Sequence, residues 1–135
     1  MTKYVLPVRV YLEDTDAQGV VYNASYFRFM ERARTECLRA RGIDHDQLRE
    51  AHGLVLVLAA IEARFRAPAR LSDMLYVTAD VAEARGARMR FTQDVRRHDP
   101  GGAVICEGSA EVACMDARGG KPRRLPQTLM SELTQ

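Results

Sequence analysis

The chain has 135 residues and a mass of 15.2 kDa, about the size of one domain. Surface scaling gives ~7,100 Å² folded against ~22,000 Å² unfolded, which supports a core without metal or disulfide staples. A net charge of +2 argues against a nucleic-acid binder working through bulk charge, and 47% hydrophobic residues argue against a disordered chain. The longest apolar run, Leu54–Ile61, falls well short of the roughly 20 residues that a membrane-crossing helix needs.

In chain order, the opening MTKYVLPVRV lacks the apolar core and cleavage site of a signal peptide, and residues 4–12 form a short candidate strand. From Ala24 to Arg41, Tyr26, Phe29, Met30, Ala33, Cys37 and Leu38 recur at three- and four-residue steps, which predicts one long helix stopped by Gly42. A short helix follows near His45–Glu50. The stretch from Leu54 to Arg66 begins apolar at every position, so its first half is expected to be buried on both sides. Leu75, Val77, Ala79 and Val81 then alternate with polar residues. Met89, Phe91 and Val95 do so next, and Val104, Cys106, Ala110, Val112 and Cys114 last. Turn signals at Arg85-Gly86-Ala87, Pro100-Gly101-Gly102 and Gly119-Gly120 separate these strands, and a last short helix is expected at Gln127–Leu133. A helix of about 27 Å matches strands of about 30 Å. The prediction is an α+β fold, a single domain over residues 1–135, in which a five-stranded antiparallel sheet curls around one long helix.

The chemistry concentrates between Tyr11 and Ala33. Glu13, Asp14 and Asp16 crowd into four residues just before a glycine turn and the helix start, where unpaired amides and the positive dipole end favour anions. Three readings compete on residues alone. One is a solvated acidic turn with Asn23 or Ser25 as helix cap. The second is a calcium loop, since Asp14, Asp16, Gln18 and Gly19 fit the first ligand positions, but Ser25 stands where that loop needs a bidentate glutamate. The third is a catalytic carboxylate beside a helix start acting as an oxyanion hole. His45, His52 and His98 lack ligand spacing, so no metal is assigned. Cys37, Cys106 and Cys114 read as buried free thiols in a reducing cytosol.

The segments Glu13-Asp14-Thr15-Asp16, Gly19-Val20-Val21-Tyr22, Ala24-Ser25-Tyr26 and Glu31-Arg32-Ala33-Arg34-Thr35-Glu36 carry a resemblance. So do Ala67-Pro68-Ala69-Arg70-Leu71, Asp73-Met74-Leu75, Phe91-Thr92-Gln93 and Lys121-Pro122-Arg123. Together they resemble the hotdog-fold acyl-CoA thioesterases of the 4-hydroxybenzoyl-CoA thioesterase family, within it the Tol-Pal-associated YbgC type. The resemblance implies a hydrolase that splits acyl-CoA into free acid and coenzyme A, with coenzyme A part of the substrate and no separate cofactor. It implies Asp16 as nucleophile or general base and the Asn23 amide as oxyanion donor. Where these relatives usually carry histidine after G-V-V-Y, this chain carries Asn23, which keeps the backbone donor but cannot titrate. Gly19, Val21, Tyr22 and Tyr26 are expected around the acyl group, and Arg88 and Arg90 at the coenzyme A phosphates. The resemblance also implies a homodimer or homotetramer with sheets paired edge to edge and the site at the subunit interface. A cytoplasmic location follows, or a peripheral one at the inner membrane, near envelope or lipid-synthesis proteins. The rival reading is a hotdog domain that binds acyl-CoA or a protein partner without turnover.

Overall fold

The computed structural model describes residues 3–133. The elements in order are β1 (Tyr4–Arg9), a 3-10 turn (Leu12–Asp14), α1 (Asn23–Arg39), α2 (His45–His52), β2 (Leu54–Phe65), β3 (Met74–Arg85), β4 (Arg88–Arg97), β5 (Val104–Asp116) and α3 (Gln127–Leu133). The five strands form one sheet in the order β1-β3-β4-β5-β2, and every neighbouring pair is antiparallel. One long helix against a curled five-stranded sheet is the architecture that the periodicities predicted. β3 and β4 are joined by Gly86-Ala87 alone, and Gly86 takes the positive φ of 60° that such a tight turn requires.

The inward faces follow the alternation in the sequence. Leu75, Val77, Ala79 and Val81 of β3, Met89, Phe91 and Val95 of β4, and Cys106, Ala110, Val112 and Cys114 of β5 are all buried. They meet Phe29, Met30, Ala33, Cys37 and Leu38 of α1. The three cysteines are buried, and no disulfide joins them.

α1 runs from Asn23 to Arg39 rather than from Ala24 to Arg41. It ends two residues early because Gly42, at φ 79°, turns the chain so that Ile43 N donates to Leu38 O at 2.9 Å. α2 runs on to His52, capped by Asp44, whose carboxylate accepts from the amides of Asp46 and Gln47.

The burial expected for the first half of β2 is not found. Only Leu54 is fully buried there, while Val57 and Leu58 are 41% and 44% exposed. The reason is topological: β2 is an edge strand, paired with β5 on one side and with nothing in the described chain on the other. Its continuous apolar run therefore faces open space along one margin of the sheet.

One inward position is polar. Gln93 lies between Phe91 and Val95 on β4 and points at α1, where it is buried. Its amide nitrogen donates to Met30 O of the helix at 3.0 Å and to Thr78 O of β3 at 3.1 Å. Its oxygen accepts from Arg34 Nη1 at 2.9 Å. Backbone pairing between β3 and β4 is interrupted here, and Thr78 Oγ1 bridges the gap by accepting from Asp94 N at 2.9 Å. Gln93 thus fixes both the rotation of α1 on the sheet and the local opening of the ladder. Gln93→Leu keeps the volume but leaves the Arg34 guanidinium and the Thr78 carbonyl short of partners. Its unfolding free energy in urea is expected to fall by about 3 kcal/mol. A loss under about 1 kcal/mol would show that the clamp is dispensable.

Candidate active site

The chain before α1 folds back on itself as a miniature hairpin. Thr15 pairs with Val21, and Val20 in turn pairs with Arg70 of the loop before β3. Asp16 opens the turn of this hairpin. Its amide donates to Val20 O at 2.9 Å, and its carbonyl accepts from Gly19 N at 3.0 Å. Gly19, at φ 79°, supplies the left-handed residue that closes the turn. The Asp16 side chain is exposed, and Oδ1 accepts from Gln18 N at 2.8 Å. Among the described residues Oδ2 has no hydrogen-bond partner, so one carboxylate oxygen is open to a ligand.

The hairpin is tied to the helix by Asp14 rather than by a side-chain cap. Asp14 is buried, and its Oδ2 accepts from Tyr11 N at 2.8 Å. Its carbonyl accepts from Tyr22 N at 2.9 Å and from Ser25 Oγ at 3.3 Å. Arg28, one helical turn further on, lies 3.7 Å from Asp14 Oδ1. The expectation that Asn23 or Ser25 caps the helix is therefore corrected. Tyr22 occupies the cap position with no side-chain bond, Asn23 is the first helical residue, and the Ser25 hydroxyl donates to Asp14 O instead. With no cap in place, the amide of Asn23 has no acceptor among the described residues. Asn23 is an exposed residue, and it follows directly on the hairpin that carries Asp16, where the first turn of a helix leaves its amides without intrahelical partners.

The remaining candidates divide. Gly19 and Tyr22 are exposed with Asp16 and Asn23, Tyr22 at 57%. Val21 is buried, and its amide donates to Ala69 O at 2.8 Å. Tyr26 is buried in the core, its ring 5.5 Å from that of Phe65 and its hydroxyl accepting from Ala69 N at 3.3 Å. Burial raises the Tyr26 pKa, and the residue lies behind the site rather than in it. Both inward-turned residues hold the loop at 67–70 against the helix start.

Arg88 and Arg90 are not brought to Asp16 within one chain. They begin β4 at the Gly86-Ala87 turn, whereas the Asp16 hairpin packs at the other end of the strand, where Arg97 donates to Pro68 O. The nine residue steps from Arg88 to Arg97 correspond to about 30 Å, and the seven from Arg90 to about 23 Å. Arg88 lies 3.6 Å from Glu111, and both side chains are exposed. At the Asp16 end stand Arg9, Arg28, Arg70 and Arg97 instead, with Arg9 donating to Ser72 O, Arg28 facing Asp14 and Arg97 donating to Pro68 O. The signal for Arg70 was present in the Ala67–Leu71 segment, but the pairing of Val20 with Arg70 depends on long-range folding.

Among the described residues no group of three or more histidine, cysteine, aspartate or glutamate side chains is placed to hold a metal ion. Among the described residues no helix is long and apolar enough to cross a membrane.

Comparison with known proteins decides the family. The thioesterase-like superfamily matches residues 10–133. The chain is 40% identical over 134 residues to the acyl-CoA thioester hydrolase YbgC of Escherichia coli O6:H1, covering 99% of this chain and 98% of that protein. The chain belongs to the hotdog thioesterase family. A crystal structure of a probable thioesterase from Bartonella henselae is 34% identical, with a TM-score of 0.83 over 92% of this chain and 99% of that one. The fold is shared at lower identity too. A 4-hydroxybenzoyl-CoA thioesterase variant complexed with 4-hydroxybenzoyl-CoA superposes with a TM-score of 0.88 at 19% identity, over 98% of this chain and 99% of that one.

For a hotdog thioesterase, a reactive thiol near the site would be a competing nucleophile. Cys106 lies near Tyr26, but burial pushes its pKa up to about 11, and burial also raises Cys37 and Cys114. At pH 8 the thiolate fraction of Cys106 is then about 10⁻³. Iodoacetamide at pH 8 should leave all three cysteines unmodified in the folded protein and alkylate all three in urea. Rapid labelling of Cys106 in the folded state would contradict its burial.

Proposed function

We propose that the chain hydrolyses acyl-CoA thioesters with Asp16 as the reacting carboxylate and the Asn23 amide as oxyanion donor. The observation that carries this reading is the short hairpin at residues 15–21, which holds an exposed carboxylate oxygen beside an uncapped helix start. Two routes are open to that carboxylate. As general base it takes a proton from water while the water oxygen attacks the thioester carbon, and the tetrahedral intermediate then breaks its C–S bond to release coenzyme A as thiolate. As nucleophile it attacks the carbon itself, coenzyme A leaves as thiolate, and water then hydrolyses the mixed anhydride. Both routes put negative charge on the carbonyl oxygen, where a backbone N–H held by the helix stabilises it without reorganising.

A second copy completes the site in this reading. The β2 edge carries exposed Val57, Leu58 and Phe65, and an open apolar edge strand invites pairing. Two β2 edges paired antiparallel about a two-fold axis place the Phe65 end of one strand beside the Leu54 end of the other. The Phe65 end adjoins α1 through Tyr26, and the Leu54 end lies on the Arg88 side of the sheet. The Asp16 of one copy then faces the Arg88 and Arg90 of its partner, which gives those cations a role at the coenzyme A phosphates that the single chain denies them. The likeness to Tol-Pal-associated relatives extends the reading to a cytoplasmic enzyme working beside envelope or lipid-synthesis proteins.

Free-thiol release from a panel of acyl-CoAs tests both parts. Asp16→Asn is expected to lower kcat by about 10² to 10⁴ while staying folded. Mixing Asp16→Asn chains with Arg88→Ala/Arg90→Ala chains should restore activity, because a mixed dimer contains one intact site. An Asp16→Asn enzyme as fast as wild type removes the catalytic assignment. Full activity in a strictly monomeric protein removes the shared site.

A further inference from the structure

The side of α1 that faces β2 is not filled. α1 packs on β1 and β3, and over the β2 side of the sheet there is a cavity of about 170 Å³. Leu56 and Leu58 of β2 and Val112 of β5 form its apolar wall, and Arg34 of α1 lines it from the helix. Arg34 is only 6% exposed. Its one hydrogen-bond partner is the neutral amide of Gln93, at 2.9 Å, and none of the ion pairs among the described residues includes it. The carboxylate that bears on this guanidinium, Glu31, stands beyond ion-pair distance, so an anion bonded directly to Arg34 would be stabilised. Among the described residues every fully buried side-chain nitrogen and oxygen has a hydrogen-bond partner. The guanidinium nitrogens not bonded to Gln93 are therefore not sealed in, and they open onto the cavity.

We propose that this cavity is a binding site for a small carboxylate with a short apolar tail, anchored by Arg34. The planar guanidinium matches a carboxylate through two parallel N–H···O bonds, and the leucine and valine wall takes the tail. At about 30 Å³ for each water-sized group, the space holds roughly six heavy atoms, the size of butyrate. Glu31 also lines the cavity, three residues before Arg34 on the same helix. It is a tethered rival for the guanidinium, since residues at this spacing are neighbours on a helix surface. Thr35 and His45 stand on the remaining side. The inference concerns binding, and its readout does not depend on turnover.

The test uses the full chain with labelled leucine and valine methyls, titrated at constant ionic strength with sodium butyrate and, separately, with butyramide. Butyramide has the same shape and no charge. Saturable shifts of the Leu56, Leu58 and Val112 methyls are expected with butyrate, and affinity at least tenfold weaker with butyramide. Arg34→Met should weaken butyrate binding at least tenfold, and Glu31→Gln should tighten it. The proposal is overturned if wild type shows no saturable shift, if the shifts lie elsewhere, or if the two ligands bind alike. Because the ligand comparison needs only the wild-type chain, it decides the question even if Arg34→Met does not fold.

Discussion

The carbonyl of Asp14 is the point on which the candidate active site hangs. It accepts from both the Tyr22 amide and the Ser25 hydroxyl, so a single oxygen joins the acidic turn to the first turn of α1. The Asp14 carboxylate, meanwhile, accepts the Tyr11 amide and faces Arg28. Two acids that look equivalent in the sequence thus do different work. Asp14 is spent on structure and is buried, and that fixes the short hairpin from which Asp16 projects into solvent. Because Asp14 O ties down the Tyr22 amide and the Ser25 hydroxyl, and no side chain caps the helix, the Asn23 amide remains available for a ligand.

That local tie would mean little if the helix could roll on the sheet. Gln93 prevents this from the other side of the core. It accepts from Arg34 and donates to Met30, both on α1, and its remaining bond goes to Thr78 on β3. An amide in an otherwise apolar layer specifies one rotation of the helix, where leucine against leucine would tolerate several. The same network holds Arg34 inside the fold with a neutral partner, which leaves its charge directed at the cavity under β2. Core specificity and the proposed anion site therefore share one set of residues.

Much of this architecture was legible in the sequence, because burial of one sheet face writes itself as alternation and burial of one helix face as three- and four-residue steps. These patterns mark β3, β4, β5 and α1, and the helix expected at Gln127–Leu133 has the bounds of α3. The family resemblance, in turn, pointed to Asp16 and to the helix start. What was not legible depends on neighbours distant in sequence. The apolar run of β2 has the composition of a doubly covered strand, and only its place at the sheet edge shows that one margin is open. The cap is not legible because Asn23 and Ser25 are both good cap residues, while the bond that matters goes to a backbone carbonyl, Asp14 O. Arg88 and Arg90 lie near one another in sequence, but nothing in a sequence shows that they lie a strand's length from Asp16.

The central claim is that the Asn23 backbone N–H, not its side chain, stabilises the developing oxyanion. Asn23→Pro tests it directly. Proline suits the first position of a helix, and Tyr22 already has the extended backbone, φ −65° and ψ 136°, that a residue before proline adopts. The substitution therefore deletes one donor and leaves the helix in place. With Asn23→Ala as control, the measurement is kcat for acyl-CoA hydrolysis together with the helical circular dichroism. The account predicts near wild-type turnover for alanine and a loss of about 10² to 10³ for proline at unchanged helicity. Equal turnover in the two variants would contradict it.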